Sequence, residues 1–448
     1  MTVRRAAWAA AVLCALAVGQ GAAAAPAPAA GAAADDLAHY QVRQGDTLYA
    51  LAEKYLIRPG DYRAVQRANR VRNPRRLVIG SDLAIPVEWL RTEPIEAVVE
   101  TLSGEATVTT QGRISALAKG AVLRQGDTVA TQANAFVRLA LPDATHMTLP
   151  SQSRLRIEAL HRVLLTGAVV RGFALEKGRS ESVVTPMKQP QDRFVVRTPL
   201  SIAAVRGTEF RVSFDEGEQR AGVGVLDGAV GVAPPAGGDG AVVQKSFGVS
   251  ADRDGVSQPR PLLPAPVLKD SSNIQQAPAI SLELEPVEGA QAYRAQLAAD
   301  AGLLNPIAET LSDQPRLSFP ELAEGQWFVK LTAIDSGGLE GAPRIYGFER
   351  ILNDVNQKAP TSSGQRRRQQ WLFRWESHGS GKPSYRFQLF GETDGAAPII
   401  DAPGLERPEI TIQNLPQGVY RWRVESILTR NGRAYEVWSP LQEFRIGR

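Results

Sequence analysis

The run Ser377-His378-Gly379-Ser380 sets hydroxyls on either side of an imidazole, the residue types that nucleophilic acyl transfer uses. That chemistry also needs a base held against the nucleophile, and the next histidine upstream is His161, far outside any local spacing. The chain has four histidines, His39, His146, His161 and His378, and no HExxH pair to hold zinc. It has no GxSxG elbow. Gly381-Lys382 fails as a phosphate loop, because Glu376 stands where the first glycine belongs and Pro383 replaces the Ser or Thr that would face magnesium. Cys14 is the sole cysteine. No catalytic residue, metal ligand or cofactor is therefore expected, and function is sought among residues that bind without reacting.

The elements that would position such residues begin at Tyr40. Tyr40 to Leu48 opens as a short alternating strand and turns on Gly45, with Asp46 placed to cap a helix. Leu48, Leu51, Ala52 and Tyr55 follow at helical spacing. After Pro59-Gly60 a second helix carries Tyr62, Val65, Gln66 and Asn69; Leu77, Ile79, Leu83 and Ile85 then read as a strand closed by Pro86.

The order strand, helix, helix, strand, with the opening YQVRQGDTLYALAEKY and the close RLVIGSDLAIP, resembles the LysM module. Leu56 departs from the family, which usually has Gly or Asn there. The resemblance implies a shallow groove for N-acetylglucosamine polymers such as peptidoglycan. Its walls would be Gly45, Asp46, Thr47 and Leu48 on one side and Asn73, Pro74, Leu77 and Ile79 on the other. Backbone N–H and C=O groups would bond the acetamido group, and small apolar walls would accept its methyl. Nine basic residues against four acidic ones between Tyr40 and Pro86 add a field attractive to anionic wall polymers.

Upstream, Arg4-Arg5, the apolar run Ala6 to Val18 and the small residues through Ala25 have the three parts of a secretory signal. We expect a signal peptide over 1–25, a flexible leader over 26–38, and a product in the periplasm or cell envelope with no transmembrane span after removal of the signal. The mature chain would then hold no thiol. With 51 basic and 47 acidic residues among 448, the charge is too even to suggest nucleic acid as a partner.

Forty glycines and thirty prolines alongside valine-rich stretches predict a mainly β, multidomain protein. From about residue 95, pairs such as Val137/Leu139, Leu155/Ile157, Val163/Leu165, Phe173/Leu175, Phe194/Val196 and Phe210/Val212 alternate with turns every eight to twelve residues. Arg124 to Thr128 repeats the RQGDT of Arg43 to Thr47, but from Val129 onward the chain alternates as a strand. Gly126 to Thr131, and Arg197-Thr198-Pro199 with Val205-Arg206-Gly207-Thr208-Glu209-Phe210 and Leu226-Asp227-Gly228, resemble the FecR-type periplasmic domain. Asp143-Ala144 departs from it where a glycine usually follows the aspartate. Arg206 to Phe210 is expected to be structural: a tight bend relieved by Gly207, a core anchor at Phe210, and a local pairing of Arg206 with Glu209. The family relays envelope signals through a protein partner. It does so behind a membrane span that a signal peptide and a wall module replace here.

After a linker over 251–272 the chain repeats itself. Tyr293-Arg294-Ala295-Gln296-Leu297 recurs as Tyr385-Arg386-Phe387-Gln388-Leu389, and Leu322, Gly325, Trp327 and Val329 as Leu415, Gly418, Tyr420 and Trp422. The two segments, 273–353 and 366–448, are similar to fibronectin type III sandwiches. Trp327, Trp375 and Trp422 are read as core. Gln365 to Arg368 is read as a solvated link.

The domains expected are thus a βααβ LysM module over 39–90, an all-β FecR-like domain over 95–250 and two β-sandwiches. Together they read as a non-catalytic exported envelope protein that binds wall glycan and presents β domains to another envelope protein. Two alternatives stand beside this reading: an envelope signalling component whose FecR-like domain binds a sensor or receptor, and a wall enzyme with an unrecognised site.

Overall fold

Alternation of apolar and polar residues becomes strands almost everywhere that it occurs. The computed structural model describes residues 37–270, 273–319, 322–363, 369–392 and 397–447. The expected signal peptide, most of the leader and the Gln365–Arg368 link lie outside the described residues. Among the described residues no helix is long and apolar enough to cross a membrane.

At the N-terminal end, Leu37–Gln41 pairs antiparallel with Asp82–Pro86, and the helices Leu48–Tyr55 and Tyr62–Ala68 pack over that pair. The helix cap is Thr47, one residue later than expected: its Oγ1 accepts from the Ala50 N–H at 3.1 Å. Asp46 instead closes the turn, accepting from the Arg43 N–H at 2.7 Å and the Tyr40 hydroxyl at 2.8 Å. Leu77 and Ile79 also differ from expectation, because they lie in the turns before the closing strand, which starts at Asp82.

Leu56, the departure from the family pattern, has an extended backbone, forms an antiparallel bridge with Leu90 and is buried. The first helix therefore ends by passing into a strand contact, with no left-handed residue required. That contact leads onward: Thr92–Pro94 pairs with Arg154–Val163, and Val163 and Leu165 enter the same core as Leu56 and Leu90. By their alternation alone Val163 and Leu165 belong to the middle domain's own core. In the fold they fill the module's, so the two units are continuous.

Nineteen strands from Thr92 to Pro261 form a closed, continuously hydrogen-bonded β structure around one core. The long strand Val169–Val183 belongs to both of its layers. Its first half pairs with Arg154–Val163 and, in parallel, with Arg193–Arg197; its second half pairs with Glu209–Asp215. The expected anchors Val137, Leu139, Leu155, Ile157, Phe173, Leu175, Phe194, Val196, Phe210 and Val212 are all buried there. The stretch expected to be a linker from 251 is partly sheet: Ala251 pairs with Val256, and Phe247 with Pro261.

Two further β-sandwiches follow, with separate cores. In the second, the strand Asp354–Ser363 already belongs to the sandwich that the repeat alone would begin at 366. The repeat has a physical basis. The Trp327 indole N–H donates to the Ala323 carbonyl at 2.9 Å, and the Tyr420 hydroxyl to the Pro416 carbonyl at 2.9 Å, so each late strand is tied back four residues. Trp375 and Trp422 are buried, while Trp327 is half-buried.

Candidate functional site

The two loops expected to form the glycan groove are stitched together. The Leu48 N–H donates to the Pro74 carbonyl at 2.8 Å, which fixes the end of the first loop against the second. Asn73 shapes its own loop: its side-chain oxygen accepts from the Arg75 N–H at 3.0 Å, and its carbonyl from the Arg76 N–H at 3.1 Å. The tip beyond it is anchored by Gly80 and Ser81, whose N–H and carbonyl bond both backbone groups of Val42, just before the Gly45 turn.

Of the eight residues expected to line the groove, Gly45, Asn73 and Ile79 are exposed, and Asp46, Thr47, Pro74 and Leu77 are half-buried. Ile79 is 64% exposed, well beyond what a core leucine or isoleucine shows. Leu48, the eighth, is buried in the module's core and presents no side chain to the surface. The resemblance did not point to Val78, 74% exposed beside Ile79, or to Tyr49, which packs on Tyr62 with ring centroids 4.5 Å apart. The signal for Tyr49 was available: it is an aromatic on the first helical turn that lies off the apolar stripe of Leu48, Leu51, Ala52 and Tyr55. The arrangement offers backbone polar groups, two protruding aliphatic side chains and an exposed Tyr49 resting on the half-buried Tyr62, the components with which shallow sugar sites are built.

Arg206 to Phe210 has a different geometry from the expected ion pair. The Arg206 guanidinium donates to the carbonyls of Pro190 and Gln189, at 2.7 and 2.8 Å, and holds that loop rather than pairing with Glu209, which is exposed. The Thr208 hydroxyl donates to the Ala229 carbonyl, and Phe210 meets Phe194 edge-on in the core. Gly207 has a φ of +123°.

The Ser377-His378-Gly379-Ser380 run is dispersed. Ser377 bonds the Tyr385 hydroxyl, His378 faces Asp354, and Ser380 bonds Glu324, which also receives Arg430.

A cleft of about 1110 Å³ lies between the middle domain and the first sandwich, and nothing in the sequence pointed to it. Its floor is a network of charges. Arg179 of the middle domain donates to both oxygens of Glu309, at 2.6 and 2.7 Å, and reaches Glu340 at 3.4 Å. Lys330 of the sandwich donates to Glu181 at 2.9 Å, and Arg211 donates to the Gly341 carbonyl at 3.0 Å. Burial alone would raise the Glu340 carboxyl, but Arg211, Arg179 and Lys330 around it hold it at about 2. These groups are partnered across the boundary, so the network joins two domains.

Residues 40–86 match the LysM domain family, and residues 127–231 match the family described as FecR protein. No curated protein matches the chain. Among solved structures, a Parabacteroides distasonis protein provisionally described as an anti-sigma factor is 20% identical over 30% of this chain, with a TM-score of 0.25; the chain spans 59% of that protein's length. A two-domain fibronectin type III segment of chicken tenascin is 14% identical over 41% of this chain and 99% of its own, with a TM-score of 0.19. Fibronectin(III)-like modules from Clostridium thermocellum are 12% identical over 40% of this chain and 90% of theirs, with a TM-score of 0.19.

Proposed function

We propose that this chain is a non-catalytic, exported cell-envelope protein that holds peptidoglycan through its N-terminal LysM groove and presents its β domains to another envelope protein. The observation that carries the reading is the stitched pair of loops, Leu48 N–H to Pro74 carbonyl, beneath the exposed Ile79 and Val78. The LysM match supports a glycan ligand of the N-acetylglucosamine class, and the FecR match supports a role in envelope signalling through a protein partner. The fibronectin type III-like identity of the two sandwiches belongs to the same proposal and rests on the repeat and the two-sheet architecture.

The test is co-sedimentation of the full chain with insoluble peptidoglycan. One shallow module should bind with a Kd of roughly micromolar to millimolar. Ile79→Asp should abolish pelleting while the melting curve is retained. Replacing Arg72, Arg75 and Arg76 with Gln should weaken pelleting at low salt and matter little at high salt, because exposed charges act through a screened field. Pelleting of Ile79→Asp at the parental level would refute the groove.

A further inference from the structure

The sheet face on which the first sandwich receives the middle domain recurs in the second sandwich. On that face Arg294 and Gln296 lie beside Thr332 and Lys330, Gln296 lies beside Glu309, and Glu340 bridges Ile334. In the second sandwich Arg386 and Gln388 lie beside Glu425 and Arg423, Gln388 lies beside Asp401, and Glu436 lies beside Ile427. All positions but one keep their chemical type. The hydrogen bonds recur as well. The Gln296 amide donates to Glu309 at 2.8 Å and Arg294 reaches it at 3.3 Å; the Gln388 amide donates to Asp401 at 3.1 Å and Arg386 donates to it at 2.7 and 2.6 Å.

In the first sandwich this face is covered by Arg179, Glu181 and Arg211 of the middle domain. In the second, Arg386 remains 39% and Asp401 31% exposed, and no hydrogen bond or ion pair among the described residues ties either to another domain. The one position that differs in kind is Thr332, replaced by Glu425. Glu425 is 6% exposed and its carboxylate makes no hydrogen bond or ion pair with another described residue; it lies beside Arg386 and near Arg423, whose charges favour its ionised form. Burial, and then the neighbouring Glu436, push its carboxyl up.

That replacement supplies what the middle domain brings to the first sandwich. Glu181 and Arg211 are cross-strand neighbours on the incoming sheet. Glu425 and Arg386 are the same pair, carried by the second sandwich's own face. This face therefore holds both the receiving pattern and its complement. A two-fold axis parallel to the strands, between Ser384–Phe390 and Gly418–Arg430, sets Arg386 of one copy over Glu425 of the other and the reverse, the self-complementarity that an isologous contact requires.

We propose that the outer sheet face of the second sandwich is a homodimer interface, on which a second copy of this chain docks face to face with Arg386 and Glu425 paired reciprocally. Dimerisation would place two wall modules on one particle and raise retention on a polymeric ligand through effective concentration.

Sedimentation velocity on the full chain tests this. A concentration-dependent dimer is expected, with Arg386→Glu and Glu425→Arg each raising its dissociation constant at least about tenfold. An equimolar mixture of the two variants should restore a dimer, since the two introduced charges then oppose each other at one contact and the native Arg386 and Glu425 at the other. Lys358→Glu, on the opposite sheet, should leave association unchanged. If Glu425→Arg loses its cooperative melt, the exposed Arg386→Glu decides alone, with Arg386→Gln as the milder companion. A wild-type chain that stays monomeric to hundreds of micromolar overturns the proposal, as does a dimer indifferent to Arg386→Glu. Capture of a different envelope protein through Arg386, with no self-association, would assign the face to that protein and equally overturn it.

Discussion

At position 207 there is room for a hydrogen and nothing more. A Cβ built there would lie 2.6 Å from the Pro186 Cα, on a backbone with φ of +123° that L side chains rarely adopt. Ala144 is the opposite case: its φ of +60° is left-handed, yet it carries a methyl where the related family usually has glycine. The left-handed region costs a non-glycine residue about 1–2 kcal/mol, of which glycine's extra unfolded-state entropy returns about half. Gly207→Val should therefore destabilise the middle domain by more than about 3 kcal/mol, backbone clash and strain together. Ala144→Gly should stabilise it by about 0.5–1 kcal/mol, a rise of roughly 1–4 °C for a domain of this size. Thermal unfolding of the two full-length variants checks both signs at once. A Gly207→Val chain that melts like the parent but loses a crosslinked partner would make the bend a docking surface.

The elements show what local sequence can and cannot specify. RQGDT makes the same turn twice: Gly45 and Gly126 both have positive φ, and Asp46 and Asp127 each accept from the N–H of the arginine three residues back, at 2.7 Å. The pentapeptide determines the turn; only the residues after it decide that a helix succeeds one copy and a strand the other. Alternation likewise located the middle domain's anchors, and the Asn431-Gly432 dipeptide, both residues with positive φ, makes the two-residue turn between Gly418–Arg430 and Arg433–Trp438. What alternation does not carry is which core a buried face enters. Val163 and Leu165 read as one more period-two pair, yet they pack with Leu56 and Leu90 in the LysM-like module. The same blindness hid the charge network, which joins residues as distant in sequence as Arg179 and Glu309 or Glu181 and Lys330. Leu165→Asp puts an unpaired carboxylate into the shared core and should cost about 3 kcal/mol or more. Hydrogen exchange should report it as lost protection in the helix Leu48–Tyr55, more than 100 residues away in sequence. Protection changes confined to the middle domain would restore the picture of two separate cores.

At the scale of the whole molecule, the joint between the middle domain and the first sandwich is electrostatic, and acid should open it. Glu340 is held at about 2, and Glu181 is also lowered, because Lys330 and Arg211 outweigh the burial that would raise it. An unfolded glutamate titrates near about 4.3, so each of these carboxylates binds fewer protons in the docked state than when released. Their contribution is therefore complete above about pH 4.3 and is lost as the pH falls from there towards 2. Because the groups are buried, added salt should screen the network far less than it screens the arginines of the LysM-like module. Removing one partner is the harsher test. Arg179→Met takes from Glu309 its bidentate cation and from Glu340 one of its partners, leaving Arg294 to serve both, and should weaken the joint by about 1–3 kcal/mol. The variant should therefore undock at a higher pH than the parent. Small-angle scattering from pH 7 to pH 2.5 measures this as a growing radius of gyration, with far-UV circular dichroism showing that the strands persist while the domains separate. The expected order is Arg179→Met opening first and the parent later. An identical scattering profile for both at every pH would mean that apolar contacts across the joint, such as Leu339 against Gly222 and Gly248, hold it without help from the charges.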